Sequence, residues 1–71
     1  MMSNPAVSKL AVNFVLERET KGAVRYQEVD DQGWPVELAL AKVGTLYIRK
    51  TAFDRGTKPP NRLTVTVEPI E

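Results

Sequence analysis

From Lys9 to Glu17 the chain reads KLAVNFVLE. Leu10, Val12, Phe14 and Leu16 fall on one side of a two-residue alternation, and Ala11, Asn13, Val15 and Glu17 on the other. A period of two with one strongly apolar side predicts a β-strand that buries one face. The tetrad ETKG follows, in which Gly22 can take a positive φ at little cost. AVRYQEV then returns with the same alternation, so the two runs predict a hairpin. Neighbours in a strand face opposite ways, which sends Val24 and Tyr26 toward the apolar side and Arg25 and Gln27 toward solvent.

Asp30, Asp31, Gly33 and Pro35 break the second strand with turn-forming residues. The next run, VELALAKVG, carries two conflicting signals. Its alanine and leucine content suits a short helix, with Pro35 near the start and Gly44 past the end. It also alternates, with Val36, Leu38 and Leu40 against Glu37, Ala39 and Ala41, so an irregular or edge-strand segment over 35–43 is favoured over a helical turn. TLYIRK at 45–50 is rich in β-branched and aromatic residues and predicts a strand. TAFDRG suits a single helical turn closed by Gly56, and Pro59-Pro60 an extended path beyond it. RLTVTVE at 62–68 predicts the last strand, with Leu63, Val65 and Val67 on one face and Pro69 ending it.

The expected fold class is mostly β: four to five antiparallel strands in a small sheet or open barrel, with at most one short helical segment. Residues 1–7 read as a flexible N-terminus and 8–71 as a single small β domain. The apolar face gathers Leu10, Val12, Phe14, Leu16, Val24, Tyr26, Leu46, Ile48, Leu63, Val65 and Val67. A single sheet cannot hide such a face from water by itself. Burying each large apolar side chain is worth about 1.5–3 kcal/mol, so an open face would be costly. Three covers are available: the 35–43 segment, Phe53 with its turn, or a second copy of the sheet.

Composition sharpens the last option. A chain of 71 residues buries only about 60% of its unfolded surface. Cysteine and histidine are both absent, which excludes disulfides and leaves only carboxylates for a metal. Self-association is the remaining stabilising device, so a homodimer is expected. The net charge is +1, but it is unevenly spread. Residues 45–67 hold Arg49, Lys50, Arg55, Lys58 and Arg62 against Asp54 alone, a modest basic patch unless these are ordinary solvated charges. MMSNPAVSK has no positive n-region, and LAVNFVL is broken by Asn13 and too short for a membrane span, so no membrane partner and a cytoplasmic location are expected.

The stretches LERETKGAVRYQEV, GTLYIRKTAF and PPNRLTVTVE together resemble a set of short uncharacterised bacterial and phage proteins. These share an E-T-K turn, a V-R-Y strand, a G-x-L/I-Y-I/V-x-K strand and a closing L/I-x-V-x-V. The likeness covers most of residues 10–68, while DDQGWPVELALAK departs from it as an elaborated connection. It implies a compact β-sheet domain and brings no established activity.

Catalysis of the Ser-His-Asp or Cys-His kind needs an imidazole or a thiolate, and the chain has neither. Asp30 and Asp31 lack the further oxygen ligands of a calcium loop, and GTKPPN matches no phosphate cradle. Glu17, Glu19 and Glu28 could in principle form a carboxylate pair. Beside Arg18, Lys21 and Arg25, cross-strand salt bridges on the hairpin explain them better. No enzyme, catalytic residue, cofactor or metal is expected.

What remains is binding. The face opposite the core brings together Asn13, Arg25, Gln27, Thr45, Tyr47, Arg49, Thr64 and Thr66. An aromatic between arginines on such a sheet can stack bases and hold phosphates, although platforms of that kind usually carry two or three aromatics. The plainer reading is that Arg25, Glu17, Arg49 and Glu68 pair across strands while Tyr47 covers their stems. Trp34, in a turn between Gly33 and Pro35, is expected to fold back and cap the sheet; exposed, it would be an interaction anchor. The candidate surface is thus Arg25, Tyr47, Arg49, Trp34, Lys50 and Arg62. The expected function is a non-catalytic binding or accessory module, acting on a protein partner through the sheet edge or the Trp34 loop, or on itself. Single-stranded nucleic-acid binding at Arg25, Tyr47 and Arg49 is the alternative.

Overall fold

The alternating runs become four strands in a computed structural model that describes residues 9–54 and 57–70. They are β1 (Leu10–Glu19), β2 (Ala23–Val29), β3 (Thr45–Arg49) and β4 (Arg62–Val67). All pairings are antiparallel, and the order across the sheet is β3-β2-β1-β4. The chain is mostly β, a curled half-barrel sheet with two short 3-10 turns, Leu38–Leu40 and Lys50–Ala52. No fifth strand forms among the described residues. Over 35–43 only Pro35 makes an isolated bridge, to Val29, so the segment is an irregular connection. The turn near TAFDRG begins at Lys50, and the expected closing residue, Gly56, lies outside the described residues, as does the 1–7 terminus.

The register assembles the apolar face. Leu10 lies opposite Val67, Val12 opposite Val65, and Phe14 opposite Leu63. Leu16 faces Tyr26, which faces Leu46, and Val24 faces Ile48. Val12, Phe14, Val24 and Tyr26 form the buried centre, with Leu10, Leu16, Leu46, Ile48, Phe53, Leu63 and Val65 packed around it. Curling lets one sheet shelter its own face, and Phe53 adds cover from the connection after β3. The Tyr26 hydroxyl donates to the Pro60 carbonyl oxygen at 2.8 Å. That bond gives the buried polar tip a partner and ties the proline connection to the core. Burial, followed by the nearby charge of Glu19, pushes the Tyr26 phenol up from its ordinary pKa.

Of the three expected covers, Phe53 is used, whereas the 35–43 segment leaves Leu38 and Leu40 exposed. The centre needs no second copy: Phe14 is 1% exposed and Tyr26 0% within one chain.

Two local features depart from simple alternation. The β1–β2 register shifts between Leu16 and Arg18, so the strand carries a β-bulge at Glu17. Beyond it Arg18 lies opposite Arg25 rather than continuing the apolar row of Leu16. A bulge adds one residue and so reverses the facing of all that follow. In the hairpin, Gly22 does not use a positive φ; among the described residues the left-handed glycines are Gly33 (φ +91°) and Gly44 (φ +92°). Thr20 closes the turn instead, its Oγ accepting from Ala23 N–H at 3.0 Å and its own N–H donating to the Ala23 carbonyl at 2.8 Å.

Because Phe14 lies fully buried at the centre of the core, Phe14→Ala is expected to cost about 3–5 kcal/mol. Urea denaturation checks this, and a loss below about 1 kcal/mol would show that the curled face is not the core.

Candidate functional site

Glu28 follows Val24 and Tyr26 on the apolar face of β2, opposite Phe14, and is only 4% exposed. A carboxylate so placed is unfavourable unless hydrogen-bonded. Its partners are backbone amides. Oε1 accepts from the N–H of Lys42 at 3.0 Å, Val43 at 2.7 Å and Gly44 at 2.8 Å, and Oε2 lies 3.2 Å from Lys42 N. The main chain of Glu28 grips the same connection. Its N–H donates to the Gly44 carbonyl at 2.9 Å, and its carbonyl accepts from Val36 N–H at 3.1 Å. The left-handed Gly44 gives the turn that presents successive N–H groups to one oxygen. Burial pushes the Glu28 carboxyl up, but the three amides and the Lys42 charge outweigh it, leaving the pKa below the ordinary value. The expected ion pair of Glu28 on the hairpin is therefore corrected: its charge is met by a loop 14 to 16 residues away.

This brace holds a connection with an apolar outer side. Asp30 starts it, its Oδ1 accepting from Gln32 N–H at 2.9 Å and Trp34 N–H at 3.0 Å. Such an Asx arrangement closes a turn without regular structure. Trp34 is 67% exposed, Leu38 75% and Leu40 74%, with Val43 also exposed. The expected capping of the sheet by Trp34 does not occur, because the curled sheet and Phe53 already shelter the core. The Leu38 side chain lies over Gly44: a Cβ on that glycine would come within 3.2 Å of Leu38 Cδ2.

On the opposite face, Arg25 lies directly across from Tyr47, its guanidinium carbon 5.7 Å from the ring centre. This is cation–π distance. Arg25 Nε is also 3.1 Å from Glu17 Oε1, an ionic contact without hydrogen-bond alignment. Arg18 on β1 and Arg49, opposite Ala23 on β3, flank the pair. Tyr47 is 55% exposed.

The structure thus brings together Arg25, Tyr47 and Arg49 and separates the other candidates. Lys50 Nζ turns to Glu19 Oε1 at 3.2 Å. Arg62 lies on β4, across the sheet from Arg49 on β3, so these two do not share one basic patch. For the same reason Arg49 and Glu68 do not pair, a correction to the expected network, whereas Arg25–Glu17 forms. The sequence pattern did not single out Arg18, Leu38 or Leu40 as functional candidates, and it set Glu28 aside as a hairpin salt-bridge residue. For Glu28 a signal existed, since its even position in β2 places it on the same face as Val24 and Tyr26.

No family model, curated protein or solved structure matches the chain. No helix among the described residues is long and apolar enough to cross a membrane.

Glu28→Gln is expected to lower stability by about 1.5–3 kcal/mol, the range for charge-assisted hydrogen bonds, and to speed hydrogen exchange at the amides of 42–44. The folded-state pKa of Glu28 lies below its unfolded one. The stability it contributes is therefore complete above the unfolded pKa and disappears as pH falls through the folded value. Urea midpoints measured down the acid range should lose this part of their slope in Glu28→Gln. An unchanged slope would mean the carboxylate is not held as described.

Proposed function

We propose that the chain is a non-catalytic binding module that takes a protein partner on the outer side of the 34–43 connection. The observation that carries this is the exposure of Trp34, Leu38 and Leu40 on a loop that a buried carboxylate holds in shape. Large apolar side chains left in water are unfavourable for a small domain and suit a docking surface. Tryptophan and its aliphatic neighbours are the usual anchors of such contacts, and a loop already braced loses less entropy on binding. The absence of histidine and cysteine supports a non-catalytic role. So does the saturation of Glu28, whose lone pairs are taken by amides rather than free for proton transfer.

The second reading is single-stranded nucleic-acid binding at Arg25, Tyr47 and Arg49, favoured by the exposed ring of Tyr47 among Arg18, Arg25 and Arg49. It is the weaker of the two. Glu17 offsets Arg25, and the net charge of +1 falls short of a usual basic footprint.

Trp34 is the sole tryptophan, so its emission reports on this loop alone. The free protein is expected to emit as a solvent-exposed indole and to shift to the blue when partner binds. Trp34→Ala and Leu38→Ala should abolish partner capture while leaving the unfolding free energy from urea titration within about 0.5 kcal/mol. Capture indifferent to both substitutions rules out this surface. Anisotropy titration with labelled DNA and RNA oligonucleotides separates the second reading. Salt-sensitive binding lost in Tyr47→Ala would favour it, and no binding at low salt removes it.

A further inference from the structure

β4 is an edge strand whose outer side is unpaired among the described residues. Leu16 N–H donates to the Asn61 carbonyl at 2.7 Å, in the same register that pairs Phe14 with Leu63, Val12 with Val65 and Leu10 with Val67. In an antiparallel ladder alternate residues turn both backbone groups to the same neighbour. Asn61, Leu63, Val65 and Val67 therefore bond to β1, and Arg62, Thr64, Thr66 and Glu68 present their N–H and C=O groups outward. Natural edges are usually guarded by proline, charge or shortness. Here Pro60 and Pro69 flank the strand, and its only internal charge is Arg62 at the first position.

We propose that this edge is self-complementary, and that two copies of the chain pair antiparallel through β4 about a two-fold axis at Val65. Keeping the apolar faces continuous across the junction requires facing positions of like parity. Centred on Val65, the pairing sets Val65 against its own copy, Leu63 against Val67, Thr64 against Thr66, and Arg62 against Glu68 of the second copy. Arg62 and Glu68 are both exposed and have no ionic partner among the described residues. Val67, 47% exposed at the sheet margin, gains Leu63 as an apolar neighbour. Neighbouring registers lack this match. Centred on Thr64, Glu68 would face Pro60, which has no N–H to give, and Arg62 would face Thr66. Centred on Thr66, Arg62 would face Ile70 and Leu63 would face Pro69. The product is one continuous eight-stranded sheet with an isologous interface, a self-association that stabilises a domain lacking disulfides. It uses a surface separate from the Trp34 loop, so it stands or falls independently of the proposed docking there.

Sedimentation velocity of the full chain over a range of concentrations is expected to show a reversible monomer–dimer equilibrium. Arg62→Glu and Glu68→Arg should each raise the dissociation constant by roughly five- to ten-fold, because each reversal sets like charges opposite one another at both ends of the interface. The double variant should restore it. Thr66→Pro, which removes an outward N–H without touching the β1–β4 ladder, should abolish dimerisation in a protein still folded by circular dichroism. A monomer at every concentration overturns the proposal. So does a dimer indifferent to both reversals, a double variant that fails to recover, or a dimer dissolved by Trp34→Ala.

Discussion

Glu28 shares a face with Val24 and Tyr26, and the path of the 41–44 backbone is the answer to its charge. A carboxylate buried opposite Phe14 would be untenable alone. Three consecutive amides and the left-handed Gly44 make it stable. The same residue bonds Gly44 and Val36 through its main chain, so the middle and the end of the long connection meet at one point on β2. Without that junction, which includes the Val36 bond that forms the Val29–Pro35 bridge, the segment that carries Trp34, Leu38 and Leu40 would be tied to the sheet mainly by the Asp30 turn.

A division of labour follows. The curled sheet buries its centre without a second layer, with Phe53 and the tie from Tyr26 to Pro60 closing what curvature leaves open. The 35–43 connection is thereby released from covering the core, and its apolar residues face outward. Those residues are the ones on which the proposed docking rests. The cationic face is better explained by internal pairing, since Arg25 is shared between Glu17 and Tyr47.

Much of this was legible locally. The facing of Leu10 through Leu16, of Val24 against Arg25, and of Leu63 through Val67 followed from alternation, and each is seen in the register. The Arg25–Tyr47 contact was legible too, once Tyr26 was placed on the core side. Glu28 was misread because charge was matched with charge, while its actual partners are amides that leave no trace in residue type. Trp34 was misread because average burial of tryptophan stood in for knowledge of what already covered the core.

The sequence by itself determined the strands and their two faces, because a period of two is a property of neighbouring residues and the pleat enforces it at once. Only the tertiary structure decided the order β3-β2-β1-β4, the bulge at Glu17 and the burial of Glu28 beneath a loop. It also set Arg49 and Arg62 on opposite edges. Each of these depends on which distant segments pair and on how a sheet bends to shelter its own apolar side, and such contacts are settled by the whole chain at once.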